Sequence, residues 1–145
     1  MVYCDTSCLL KLYVEEPDSE LATVLVQKYH RGSILFSKFQ ELELKSAIEA
    51  KCHRREITID DATVALETVT FHKRGNYLIL PVLDWNQVFD RGIQIATSLG
   101  RESGIRSLDI LHVATALAIG CGTLLTFDHR QAKVSRALGL DVLPE

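Results

Sequence analysis

Four acids in this chain of 145 residues occupy positions where a carboxylate needs a reason. Asp5 closes the apolar run Val2-Tyr3-Cys4, and Asp128 closes a second run, TLLTF, over residues 123–127. Asp109 is the one formal charge between Leu108 and Phe127, on a stretch whose apolar side chains cover every side of a helix. Such a helix is buried, and an uncompensated charge on it costs many kcal/mol. Glu43 falls in the middle of a helical stretch, where it caps nothing. Four inward carboxylates gathered together repel and raise one another's pKa. A hard divalent cation relieves this, and all-oxygen ligation suits Mg²⁺ or Mn²⁺. That ion can lower the pKa of a bound water and steady charge on a phosphoryl oxygen. Taken singly, Asp5, Asp109 and Asp128 serve equally well as helix caps or first-turn dipole partners, worth about 1 kcal/mol each.

The elements that must position these acids alternate. Strands are expected at residues 2–4, 34–36, 77–83, 123–127 and 140–143, each short and apolar. Between them helices are expected at 9–13, 19–30 (ended by Arg31-Gly32), 37–54, 58–73, 84–100, 107–119 and 129–138, with Gly120-Cys121-Gly122 as a stop and 101–106 as a loop. Ser37-Lys38-Phe39-Gln40 and Thr58-Ile59-Asp60-Asp61 have the form of capping boxes, and Asp84 with Gln87 caps a further helix. Short strands alternating with helices predict an α/β domain with a central parallel sheet of about four to five strands, helices on both faces, and one domain over residues 1–145. In an open parallel sheet ligands bind at the carboxyl ends of the strands, the edge where Asp5, Asp109 and Asp128 are expected. On the helix from Ser37, Phe39, Leu42, Ser46, Ala47 and Ala50 form an inward arc with Glu43 in its middle. Glu41 then faces away as an ordinary surface residue with Lys45 as its i+4 partner, leaving Leu44 and Ile48 for a partner face or a second buried side.

Composition excludes several classes. Apolar content of 47% and charged content of 24% fit a soluble globular chain. The net charge of −3 gives no global attraction for a polyanion, so any such contact needs a local basic patch. Cys4, Cys8, Cys52 and Cys121 form no zinc-type spacing and read as reduced core residues of a cytoplasmic protein. No basic leader precedes the first strand, so no signal peptide is expected. The acid, the histidine and the GCG break within 108–127 argue against a membrane span.

Four pieces of sequence then carry a resemblance: DTSCLLKLYVEE at the start, Ser37…Glu43…Ala47, SLDILHVATA, and LLTFDHR followed by ALGLDVLP. In this order they resemble the PIN-domain family, specifically the VapC-type ribonuclease toxins of toxin–antitoxin pairs. The resemblance implies a single PIN-like domain and a metal-dependent endoribonuclease with Asp5, Glu43, Asp109 and Asp128 as its metal-binding acids. It implies Thr6 or Ser7 as a site-orienting hydroxyl, RNA as substrate, a small antitoxin as partner, and a homodimer.

Arg54 and Arg55, in the cluster Lys51-Cys52-His53-Arg54-Arg55, are candidates for RNA backbone contact, against the plainer role of complementing a helix C-terminus. Arg106, His129 and Arg130 flank the acids more closely. His112 is expected as a hydrogen-bonded core residue, and Trp85 as a packing residue. A phosphatase or receiver-like domain is the competing enzyme class, but its motif needs an acid two residues after the first, where this chain has Ser7. A non-catalytic RNA-binding module would be expected to have lost some of the four acids.

Overall fold

A computed structural model describes residues 1–30 and 32–145; Arg31, expected to end the second helix, lies outside the described residues. Among the described residues five strands are interspersed with seven helices: β1 (Val2–Cys4), α1 (Thr6–Tyr13), α2 (Ser19–Tyr29), β2 (Ile34–Leu35), α3 (Lys38–His53), α4 (Ile59–Arg74), β3 (Leu78–Ile79), α5 (Trp85–Ser103), α6 (Ser107–Ala118), β4 (Thr123–Leu125), α7 (His129–Ala137) and β5 (Asp141–Leu143). All pairings are parallel. The α/β class with a parallel sheet is as expected; the sheet has three strands, β1-β4-β5, and β2 and β3 form a second, small one. The contacts divide the chain into two compact units, residues 1–5 with 82–145, and residues 6–81.

In the first unit β4 is the middle strand, with Tyr3 opposite Leu124 and Leu124 opposite Val142. These side chains are buried, as a strand paired on both edges requires. Helices α5 and α6 meet at Gly92, where a Cβ would stand 3.6 Å from Ile110 Cγ2 and 3.9 Å from Ala114 Cβ, ordinary contact distances that leave room for a methyl group. Residues Ile110 to Ala116 of α6 are buried throughout, as its composition requires. Its first turn is not, since Leu108 is 52% exposed and Asp109 is half-buried rather than enclosed. Asp84 caps α5 by accepting from Asn86 N at 3.0 Å. His112 is buried with its Nδ1 2.9 Å from the Tyr3 hydroxyl, and Trp85 packs against Phe89. None of the four cysteines is in a disulfide, and burial pushes the Cys121 thiol up to about 11.

The second unit packs α1 on α2 and α3, and α3 on α4, beside the β2-β3 ladder. Both capping boxes form: Ser37 N donates to Gln40 Oε1 at 2.8 Å, and Thr58 N to Asp61 Oδ2 at 3.0 Å. The first box changes which face of α3 is buried. Gln40 spends its amide on the box and goes inside, so the buried stripe is Gln40, Leu44 and Ile48 at i, i+4 and i+8. Leu42, placed on the inward arc by sequence, is 70% exposed, and Leu44 and Ile48 are core rather than a partner face. Strand β3 covers two residues instead of 77–83, because Pro81 has no N–H to give a ladder and Val82 is fully exposed.

Glu41 is not an ordinary surface residue. Lys45 reaches it as expected, at 3.0 Å, and so do Lys38 at 3.1 Å and Lys73 of α4 at 2.6 Å. Partial burial works to raise its pKa, but the hydrogen bonds from Lys73, Lys45 and Lys38 outweigh it and hold the carboxyl at about 2. A depressed folded-state pKa contributes stability that is present above the ordinary value near 4.5 and lost as pH falls towards 2. Glu41→Gln is therefore expected to cost about 1 kcal/mol at pH 7 and progressively less as pH falls through about 2, read as the difference between thermal unfolding midpoints along the pH series.

Candidate active site

Because β1 and β4 are parallel neighbours in register, their carboxyl ends leave the sheet side by side. Asp5 follows β1 and extends the ladder by one bond, its N–H donating to Leu125 O at 3.1 Å. Its side chain is fully buried, and Thr126 Oγ1 donates to Asp5 Oδ2 at 2.6 Å. The same Thr126 oxygen accepts from Asp128 N at 3.0 Å. One hydroxyl thus orients the first acid and fixes the turn that delivers the last.

Asp128 caps α7, its Oδ1 accepting from Arg130 N at 2.8 Å and Gln131 N at 2.9 Å. The capping role weighed for this residue is real, and it occupies only one of the two carboxylate oxygens in these bonds. Asp109 sits in the first turn of α6, where Oδ2 accepts from Arg106 N at 3.3 Å and Oδ1 from Gln131 Nε2 at 3.4 Å. Burial and then the charge of Asp128 push the Asp109 carboxyl above its ordinary range, against the pull of the Arg106 and Gln131 donors. The two carboxylates act on each other in partly desolvated surroundings, which concentrates negative charge at the start of α6 and α7.

Glu43 belongs to the second unit. It is half-buried on α3, and Thr6 Oγ1 of α1 donates to Glu43 Oε2 at 2.8 Å. Thr6 is the residue after Asp5 in the chain; α1 starts at Thr6 rather than at residue 9, so Thr6 and Ser7 form its first turn.

Of the expected basic contacts, Arg106, His129 and Arg130 are exposed beside Asp109 and Asp128 in sequence. The cluster on α3 is neutralised locally. Lys51 pairs with Glu16 at 2.5 Å and Glu56 at 3.0 Å, and Arg54 pairs with Glu56 at 2.5 Å. Arg55 is exposed in a left-handed turn, φ 60°, just past the end of α3.

Sequence reasoning missed Thr126 and Gln131. The first is a hydroxyl two residues before a strand-ending acid, and the second is the third residue of the helix which that acid caps. Gln131 bonds to both acids, to Asp128 through its backbone and to Asp109 through its side chain.

Among the described residues no three His, Cys, Asp or Glu side chains form a group ready to hold a metal ion. The donor chemistry nevertheless fits one. The acids supply hard oxygen atoms, and the repulsion between Asp109 and Asp128 is what a divalent cation removes. No helix among the described residues is long and apolar enough to cross a membrane.

Comparison with known proteins agrees with this architecture. The chain is 26% identical over 144 residues to ribonuclease VapC46 of Mycobacterium tuberculosis, covering 98% of this chain and 95% of that protein. Its fold matches the crystal structure of FitAcB from Neisseria gonorrhoeae with a TM-score of 0.68 at 19% identity, over 98% of this chain and 96% of the other. It also matches VapC20 of Mycobacterium tuberculosis, a toxin that cleaves the sarcin-ricin loop, with a TM-score of 0.64 at 16% identity, over 99% of this chain and 100% of the other. The PIN domain model matches residues 2–137, nearly the whole of the paired strands and the helices between them, and the chain belongs to the PIN domain family.

Proposed function

We propose that this chain is a Mg²⁺-dependent endoribonuclease, the VapC-type toxin of a toxin–antitoxin pair, hydrolysing RNA phosphodiester bonds in the cytoplasm. The observation that carries the reading is the set of acids on the first unit: fully buried Asp5 at the carboxyl edge of the parallel sheet, and Asp109 with its proton affinity raised by burial and by Asp128. Unscreened, these acids repel a phosphodiester. Mg²⁺ or Mn²⁺, held by Asp5, Asp109, Asp128 and Glu43, would supply a water of lowered pKa and would neutralise charge on the phosphoryl oxygens.

The remaining work falls to the chain. Thr126 holds Asp5, and Gln131 with the Arg106 N–H holds Asp109, so neither carboxylate has to be ordered when substrate arrives. Thr6 does the same for Glu43, and Ser7 stands beside it in the first turn of α1. Exposed Arg106, His129 and Arg130 would meet the RNA backbone next to the scissile phosphate in this reading, with Arg54 and Arg55 as outlying contacts. An antitoxin and a second copy of the chain are the protein partners of this reading. An exposed apolar strip on the first unit, Phe89, Ile93 and Leu108, is the kind of surface such partners cover.

End-labelled RNA incubated with the purified chain decides between this reading and a non-catalytic module. Cleavage with Mg²⁺ or Mn²⁺ that stops on addition of EDTA is expected. Binding of RNA with no cleavage under any metal would leave the fold without this chemistry.

A further inference from the structure

The cations expected from sequence to meet RNA on α3, Lys51 and Arg54, are balanced by Glu16 and Glu56. The opposite holds at the other end of the same helix. There three ammoniums, Lys38, Lys45 and Lys73, converge on the single carboxylate of Glu41 and leave a surplus of two positive charges. Stability alone is a weak reason for three lysines on one acid, since each solvent-facing ion pair is worth at most about 1 kcal/mol. Lys38 keeps 71% of its side chain exposed and Lys45 keeps 42%, so their remaining N–H groups face solvent. The cluster borders a recess of about 340 Å³ lined by Phe36, Lys38, Glu41, Lys73, Asn76 and Leu80, in which Glu41 is the acid. Phe36 and Leu80 directly follow β2 and β3, so the recess opens at the carboxyl edge of that parallel pair, where open α/β sheets take ligands.

We infer that the Lys38–Lys45–Lys73 cluster is a phosphate-binding surface for the backbone of the RNA substrate; the inference rests on the ribonuclease reading and adds to it where the strand is held. Glu41 acts here as an anchor. It holds the three lysines in place before RNA arrives, which lowers the ordering cost of the contact, while its one charge leaves them net positive. On a chain with a net charge of −3, a polyanion is held only where such a surplus exists. The contact is to phosphate, so it is independent of base sequence.

The test is the salt dependence of binding to a fluorescein-labelled single-stranded RNA in EDTA, comparing the wild-type chain with Lys38→Gln/Lys45→Gln and with Lys73→Gln. Both variants keep hydrogen-bonding side chains, and the double variant changes the more exposed positions, so folding is preserved and checked by thermal midpoint. Each lost phosphate contact lowers the slope of log K against log salt by about 0.7 for a single strand. The double variant is expected to lose about 1.4 of slope and to bind roughly tenfold more weakly at low salt. An unchanged slope in both variants, with wild-type cleavage and binding intact, overturns the inference and leaves the ribonuclease reading standing. Wild-type chain that neither binds nor cleaves RNA overturns both. Variants that keep RNA but lose affinity for a poly-glutamate probe would assign the surface to an acidic protein segment instead, which also overturns it.

Discussion

Asp109→Asn is expected to reduce RNA cleavage about a thousandfold or more, with the fold intact and the metal-free protein more stable than wild type. The activity loss follows from removing one ligand charge at the metal; about 4 kcal/mol of lost transition-state stabilisation corresponds to a factor of a thousand. The gain in stability follows from the direction of the Asp109 shift. Burial and Asp128 raise its pKa in the folded state, so the folded chain binds this proton more tightly than the unfolded one. Ionised Asp109 therefore opposes folding at neutral pH, and the penalty is relieved as pH falls through the raised value. Asparagine is neutral at every pH and removes it. The substitution also fits the local hydrogen bonds. The new side-chain amide can still accept from Arg106 N through its oxygen. Its NH₂ can donate to Gln131 Oε1 once the Gln131 amide turns over, so the contact between the two side chains is kept. Cleavage assays and thermal midpoints in EDTA check the two halves separately. Equal cleavage by variant and wild type would remove Asp109 from the site, and a lowered midpoint would contradict the charge argument.

This opposition of stability and chemistry explains which features could be read from the sequence. The helix around Asp109 and the strand before Asp128 were legible because both are apolar without periodicity, a pattern that only a buried helix and a buried strand share. The boxes at Ser37 and Thr58 were legible because capping is chemistry between residues three apart. What failed is of two kinds, one local and the rest dependent on distance along the chain. The buried face of α3 was misassigned because Gln40 counts as polar until its amide is known to be consumed by the box. Lys73 is 32 residues from Glu41, and no local pattern announces that the following helix will deliver it. The single expected sheet became two, and the third strand shortened to two residues because Pro81 has no N–H to give a ladder. The acids themselves were found by type and position, but the groups that hold them were not. Thr126 reaches Asp5 across 121 residues through the register of β1 on β4, which sequence does not state.

For that reason Thr126 carries the other large expected effect. Thr126→Val keeps the β-branched shape and the volume of a residue that is 3% exposed, so packing is preserved and the change isolates the hydroxyl. Two groups lose a partner. Asp5 Oδ2 loses its 2.6 Å donor while the side chain stays fully buried, and the Asp128 N–H loses its 3.0 Å acceptor. Removing a hydrogen-bond partner from a buried charged group costs about 2 kcal/mol and from a backbone N–H about 1 kcal/mol, so a loss near 3 kcal/mol is expected. Cleavage should fall by roughly 10- to 100-fold among molecules that remain folded, because a carboxylate released from its orienting group no longer presents its oxygens in one place. Thr126→Ser restores the hydroxyl without the methyl and is expected to recover most of both losses. Denaturant unfolding in EDTA reads the stability term, and cleavage at saturating Mg²⁺ reads the orientation term. A Val variant as stable as wild type would mean that Asp5 is held by its other contacts alone. One that is destabilised yet fully active would mean that the orientation of Asp5 does not limit the reaction.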